Sequence, residues 1–302
     1  MNTCLDCLPC IFRQTLDAVR RVSDDPAFHE RAVRQVAEWI CAADLSESPP
    51  VMAQRLHRYL RGLTGIADPY AAAKTRDNDM ALRLLPGLRA RLAASDDPFT
   101  LAVRLAIAGN LIDLGPKSDL TAAEVESAIW NVEEEPFSGD VKSLRRRADS
   151  ARTILYLADN AGEIVLDRLL IESLGPERVT VAVRGAPVIN DATMEDARTA
   201  GLHELVEVIS NGSDVPGTLL EECAPDFRER FDAADLVISK GQGNFETLSD
   251  APRDICFLFK VKCPVIADRV DLALGTQALV WLQGEAKRDG TEDGKAERKG
   301  KD

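Results

Sequence analysis

Apolar residues recur at three- and four-residue intervals through the first half of the chain, as in Ile11, Leu16, Val19 and Val22, then Val33, Val36, Ala37 and Ile40. That period lays one side of a helix against a core. Pro26, the Pro49-Pro50 pair, Pro69 and Pro98 fall where helices can begin, several with Ser or Asp nearby as caps. About six or seven helices are predicted between Pro9 and Val132. The stretch from Glu133 to Asp149 carries Pro136, Gly139 and the run Arg145-Arg146-Arg147, which reads as a connector and a solvated surface helix. The pattern then changes to short apolar runs separated by helical segments. Strands are predicted over Ile154–Ala158, Val179–Val183, Val206–Ile209, Leu236–Ile238 and Cys256–Phe259. The intervening helices fall over Ile164–Leu174, Ala192–Ala200, Val215–Glu222 and Pro225–Phe231. Such alternation implies right-handed crossovers and a mainly parallel sheet in an α/β domain. Beyond Trp281 almost no apolar residue remains, so the chain from about Gly284 is expected to be disordered. The predicted organisation is a helical region over 1–150, an α/β domain over 151–283 and a tail over 284–302.

The 302 residues carry a net charge of −13, which disfavours nucleic acid as a partner, since phosphate neutralisation needs a basic excess. No apolar run approaches the roughly 20 residues of a membrane span. Met1-Asn2-Thr3-Cys4 lacks the charged-then-apolar pattern of a secretory signal, and a cytoplasmic protein is expected. Seven cysteines, with Cys4, Cys7 and Cys10 closely spaced, suit reduced thiols better than a disulfide framework. With Cys263 they suggest a structural or regulatory thiol cluster, an auxiliary soft-metal site being the alternative. His29, His57 and His203 show no metal-ligand spacing.

The chemistry gathers where strands end. Tyr156-Leu157-Ala158 runs into Asp159-Asn160-Ala161-Gly162-Glu163, placing hard oxygen donors at a strand-to-helix turn. In an open parallel sheet this edge is the usual ligand crevice, so Asp159 and Asn160 are candidate ligands of a divalent cation. Asp191, after the second strand in Arg184-Gly185-Ala186-Pro187-Val188-Ile189-Asn190-Asp191, is a further candidate oxygen ligand. The third strand ends in Lys240-Gly241-Gln242-Gly243-Asn244, where a lysine and glycine-flanked backbone N–H groups offer an anion site. Asn110 and Asp113 interrupt an apolar segment beside Gly109 and Gly115, which points to close approach to a ligand.

Together with Cys4-Leu5-Asp6-Cys7 and Ala108-Gly109-Asn110-Leu111-Ile112-Asp113, these motifs make the chain resemble the metal-dependent damage-control phosphatase family, in particular its prokaryotic branch. The resemblance implies a helical N-terminal region packed on a Rossmann-like sheet with helices on both faces. It implies hydrolysis of small phosphate monoesters, sugar phosphates or damaged phosphometabolites, with Asp159, Asn160 and Asp191 as metal ligands and Lys240 on the substrate phosphate. Asn110, Asp113, Gly241 and Asn244 would complete the substrate site.

A phosphoryl group needs its charge neutralised and its position held more than it needs covalent help. Mg²⁺, Mn²⁺, Co²⁺ or Ni²⁺ would serve with these oxygen ligands. Glu163 could orient or deprotonate the attacking water, or simply favour a helix N-terminus. No second aspartate follows Asp159 at two residues, which favours water over an aspartyl-phosphate path. Two other readings remain open: an S-adenosylmethionine-dependent carboxyl methyltransferase, which would want a Gly-x-Gly turn after the first strand, and a noncatalytic protein that binds a metal or metabolite in the same crevice. Oligomeric state does not follow from the sequence.

Overall fold

The structure, a computed structural model, describes residues 1–112 and 121–284. Asp113 and most of the expected tail lie outside the described residues. Among the described residues seven helices precede the main strands: α1 (Cys7–Val22), α2 (Pro26–Cys41), α3 (Pro49–Thr64), α4 (Ala71–Ala93), α5 (Pro98–Ala108), α6 (Ala122–Trp130) and, after the short strand β1 (Phe137–Ser138), α7 (Val141–Ser150). Pro26, Pro49 and Pro98 occupy first helical positions, where a missing N–H costs nothing. Asp25 and Asp97 cap two of these helices by accepting from the backbone N–H groups of Ala27 and Thr100. Pro69 falls just before α4, which has a further proline, Pro86, in its interior.

The alternating half follows as β2 (Ile154–Leu157), α8 (Glu163–Leu174), β3 (Val179–Val183), α9 (Met194–Thr199), β4 (Glu207–Ser210), α10 (Pro225–Ala233), β5 (Leu236–Lys240), α11 (Gln242–Leu248), β6 (Ile255–Lys260), α12 (Pro264–Val270) and β7 (Gln277–Leu282). They form one seven-stranded sheet in the order β1-β7-β6-β5-β2-β3-β4. All pairings are parallel except β6 with β7. The chain winds outward from β2 through β3 to β4, then returns beside β2 and winds the other way through β5 to β7. The switch point lies between β2 and β5, and the crevice opens beyond their carboxyl ends.

One departure from the sequence reading has a local cause. Val215–Glu222, predicted helical, is a loop with a 3-10 turn at Leu220–Glu222. Pro216 and Gly217 interrupt it, and Gly217 sits at φ +152° with Thr247 and the carbonyl of Gly243 filling the place of a side chain. Strands β1 and β7 and helices α11 and α12 were not predicted; β7 follows α12 and pairs antiparallel with β6, outside the run of parallel crossovers.

Each central strand divides its side chains between two layers. Ile154, Tyr156, Ile238, Cys256 and Leu258 join a core with α4, α5 and α8. Leu155, Leu157, Val237, Phe257 and Phe259 face α10, α11 and α12. The first core is shared by helices on both sides of residue 150. By contrast α1, α2 and α3 close a separate small core around Val19, Ala32, Val36, Leu56 and Leu60. This bundle is tied to the crevice rim by charge. Asp214, in the loop after β4, accepts from Gln54 at 2.8 Å, from Arg58 at 2.6 Å and from Arg61. Arg61 also donates to the carbonyl of Pro187 at 2.8 Å. Among the described residues no helix is long and apolar enough to cross a membrane.

If Asp214 holds this bundle in place, Asp214→Ala should raise hydrogen exchange through α3 several-fold and leave β2 and β5 protected, as read by exchange mass spectrometry. Unchanged exchange in α3 would assign its docking to apolar contacts instead.

Candidate active site at the β2–β5 switch point

Asp159 leaves the end of β2 and Asp191 returns from the loop after β3, and the backbone laces them together. Asn160 and Asp191 form an isolated antiparallel bridge, the N–H of Ala161 donates to Asn190 O at 2.9 Å, and the N–H of Ala192 donates to Asp159 O at 2.7 Å. The three residues expected to hold a metal, Asp159, Asn160 and Asp191, are therefore brought to one place. The return is strained: Ile189, a β-branched residue, sits at φ +45°, a conformation that costs on the order of 1–3 kcal/mol and persists only where surrounding contacts impose it. Gly162 turns the chain into α8 at φ +74°, and its N–H donates to Asn78 Oδ1 of α4 at 2.7 Å.

Beneath the turn lies a buried polar network. Glu163, the first residue of α8, is fully buried; its Oε2 accepts from Asn110 at 2.8 Å and Asn160 at 3.0 Å, and its Oε1 accepts from Lys240 at 2.7 Å. Lys240 also donates to Asp167 Oδ1 at 2.5 Å and to the carbonyl of Ala106 at 2.7 Å. Tyr156 donates its hydroxyl to the same Asp167 oxygen at 2.7 Å. Burial alone would lower the Lys240 pKa, but Asp167 and Glu163 outweigh it and hold the ammonium at about 12. Burial pushes Asp167 the other way, up to about 6, with Lys240 opposing the rise.

Lys240, expected on the substrate phosphate, instead has all three donors engaged inside the protein and no exposed surface. Asn244 is likewise enclosed: it donates to Lys240 O at 2.7 Å and Ala158 O at 3.2 Å and accepts from Thr218 at 2.8 Å, clamping the ends of β2 and β5 together. Gly241 gives its N–H to Leu258 O at 3.0 Å, and a Cβ there would fall 1.9 Å from Asp159 Oδ2. Its glycine is thus required by the close pass of β5 under Asp159, at φ +78°. Gly109 similarly lets the Asn110 turn approach Glu163, with a Cβ position 3.1 Å from Glu163 Cα.

At the mouth of this network, Asp159 Oδ2 accepts from Asn160 at 2.6 Å and Asn110 at 3.2 Å. Burial, then the charges of Glu163 and Asp191, push its carboxyl well above the usual carboxylate range, with Arg184 and Lys262 opposing. Two carboxylates and amide oxygens gathered at one strand edge fit a hard divalent cation. The amide oxygen of Asn110 is buried without a hydrogen-bond partner, which also suits such an occupant. Only two of the three expected ligands are acids, and among the described residues no three His, Cys, Asp or Glu side chains group as a metal site. The same holds for the thiols: Cys4 and Cys7 approach to 3.4 Å, but no soft-metal cluster forms around them.

Sequence reasoning passed over Arg184, Asp167 and Asn78. Arg184 carried a usable signal, a charged residue directly continuing a buried strand. Asp167 carried only its polarity within a mostly apolar helix, and Asn78 lay among other polar residues, Lys74 and Asp77, of α4.

The model of the damage-control phosphatase ARMT1-like domain matches residues 3–277, and this chain belongs to that family. It is 34% identical to a damage-control phosphatase, PH1575, of Pyrococcus horikoshii, over 95% of this chain and all of the relative. A damage-control phosphatase of Archaeoglobus fulgidus is 33% identical over 89% of this chain and 95% of its own length, and the uncharacterized protein MJ0202 of Methanocaldococcus jannaschii is 34% identical over 91% and 94%. The crystal structure of the Pyrococcus horikoshii protein, described as a DUF89 family protein, superposes with a TM-score of 0.84 over 94% of this chain.

Two outcomes follow from the buried network. Lys240→Met leaves Glu163 and Asp167 without their cation and should cost about 3–5 kcal/mol in chemical denaturation. Asp167, held above its ordinary 3.8, favours the folded state below that pH, and the contribution is lost as pH rises through about 6. Asp167→Asn should therefore flatten the decline in stability between these two pH values; an unchanged slope would remove Asp167 as its source.

Proposed function

We propose that this chain is a divalent-metal-dependent phosphatase acting on small phosphate monoesters, of the sugar phosphate or damaged phosphometabolite class. The observation that carries the reading is the convergence of Asp159, Asn160 and Asp191 at the β2–β5 switch point, in a chain that belongs to the damage-control phosphatase family. When bound there, Mg²⁺, Mn²⁺, Co²⁺ or Ni²⁺ would supply positive charge to the nonbridging phosphoryl oxygens.

The protein's own contribution is positional. Among the described residues, Asp159 Oδ1 accepts no hydrogen bond, whereas Oδ2 is fixed by two amides. One carboxylate oxygen is thus left without a hydrogen bond, 3.7 Å from Arg184 Nη2, and the other sets its angle. Glu163 has both oxygens occupied by Lys240, Asn110 and Asn160, which supports a role in holding those amides over one as a free base. Water attacks phosphorus while the bond to the ester oxygen breaks, leaving an alcohol and inorganic phosphate.

Metal-stripped protein should release no phosphate from a panel of monoesters and should recover turnover when a divalent cation is restored. Asp159→Ala and Asp191→Ala should each lower turnover by at least about 10²-fold, the scale of removing one transition-state contact. Cation binding without phosphate release would support a noncatalytic binding protein. Methyl transfer from S-adenosylmethionine to carboxylates would support the methyltransferase reading.

A further inference from the structure

Arg184 directly follows the last residue of β3 and is 1% exposed. Its Nε donates to Asp191 Oδ2 at 2.6 Å. Its Nη2 lies 3.7 Å from Asp159 Oδ1, within ion-pair reach but beyond hydrogen-bond length, and has no hydrogen-bond partner among the described residues. Leaving a charged N–H unpaired in the interior is costly, so this one calls for a partner such as water or a bound anion. The contrast with Lys240 is direct, since every donor of that ammonium is taken. Arg61, at the rim, is held by Asp214 and Pro187.

We infer that Arg184, through Nη2, receives a nonbridging oxygen of the substrate's phosphoryl group. The inference rests on the phosphomonoester reading above and assigns the anion contact to a residue at the end of β3. A guanidinium suits the task because its planar fork can commit Nε to one carboxylate and direct Nη2 elsewhere. The stem is fixed as well: the N–H of Arg184 donates to Ala192 O at 2.9 Å, and the N–H of Gly185 donates to Ser213 O at 2.8 Å. Gly185 packs so closely on Gly212 that a Cβ would fall 2.5 Å from its carbonyl carbon. A positive charge beside Asp159 Oδ1 also offsets repulsion between that carboxylate and an arriving phosphoryl group.

The test is calorimetric binding of inorganic phosphate to the Mn²⁺-loaded protein, comparing wild type with Arg184→Lys and Arg184→Gln, with Mn²⁺ affinity read separately by electron paramagnetic resonance. Both variants should bind phosphate about 10- to 100-fold more weakly, the scale of one lost charged hydrogen bond, while still binding Mn²⁺. Wild-type phosphate affinity in either folded, Mn²⁺-loaded variant overturns the inference. Loss of Mn²⁺ binding in Arg184→Lys overturns it too, by making the arginine a support for Asp191. Arg184→Lys keeps a cation beside Asp191 and decides the matter if the glutamine variant does not fold. A wild-type protein that takes up no Mn²⁺, or takes it up and binds no phosphate, would fail at the phosphatase reading itself, and the Arg184 contact would fall with it.

Discussion

The ion pairs between Lys240, Glu163 and Asp167 are the interaction on which the rest of the structure depends. They lie where β5, α5 and α8 meet, each group fully buried, and removing Lys240 would strand two carboxylates away from water. Because Glu163 opens α8 immediately after Gly162, the same ammonium that neutralises the core also fixes the turn carrying Asp159 and Asn160. Asn110 and Asn160 then pass that order outward, each dividing an amide between Glu163 and Asp159. Geometry at the mouth is thus inherited from charge at the base.

Layers around the sheet serve this arrangement unequally. Helices α4 and α5 share the core that covers β2 and α8, and they bring Asn78, Asn110 and the carbonyl of Ala106 to the site. The opposite layer reaches it through α11, whose Asn244 joins the ends of β2 and β5. Two layers therefore meet at the switch point, and close packing there is possible only because Gly109, Gly162 and Gly241 lack side chains.

Much of the site was legible because its residues announce themselves by position. A strand of apolar residues ending in Asp159-Asn160 marks a ligand edge whatever the tertiary partners, and Asn190-Asp191 repeats the signal one crossover later. The role of Lys240 was not legible in the same way. A lysine at a strand end looks alike whether it faces solvent or a buried carboxylate, and the difference lies in Asp167 and Ala106, more than 70 and 130 residues away in sequence. Asn244 is alike in part, since besides the nearby Lys240 carbonyl it holds Ala158 and Thr218, both distant in sequence. In the fold, periodicity located the five central parallel strands but not β1, β7, α11 or α12, and Val215–Glu222 suggested a helix that Pro216 and Gly217 forbid.

The separate core of α1–α3 has an evolutionary consequence. The other helices cannot drift far, because their side chains complete the packing around β2 and the charge network beneath it. The first three answer mainly to one another, and they meet the crevice loops through a cluster of arginines and acids around Asp214. Polar contacts of this kind tolerate re-pairing more readily than an interdigitated core tolerates a change of volume. Family members can thus be expected to diverge most in this bundle, reshaping what enters the crevice while the strand ends beneath it stay the same.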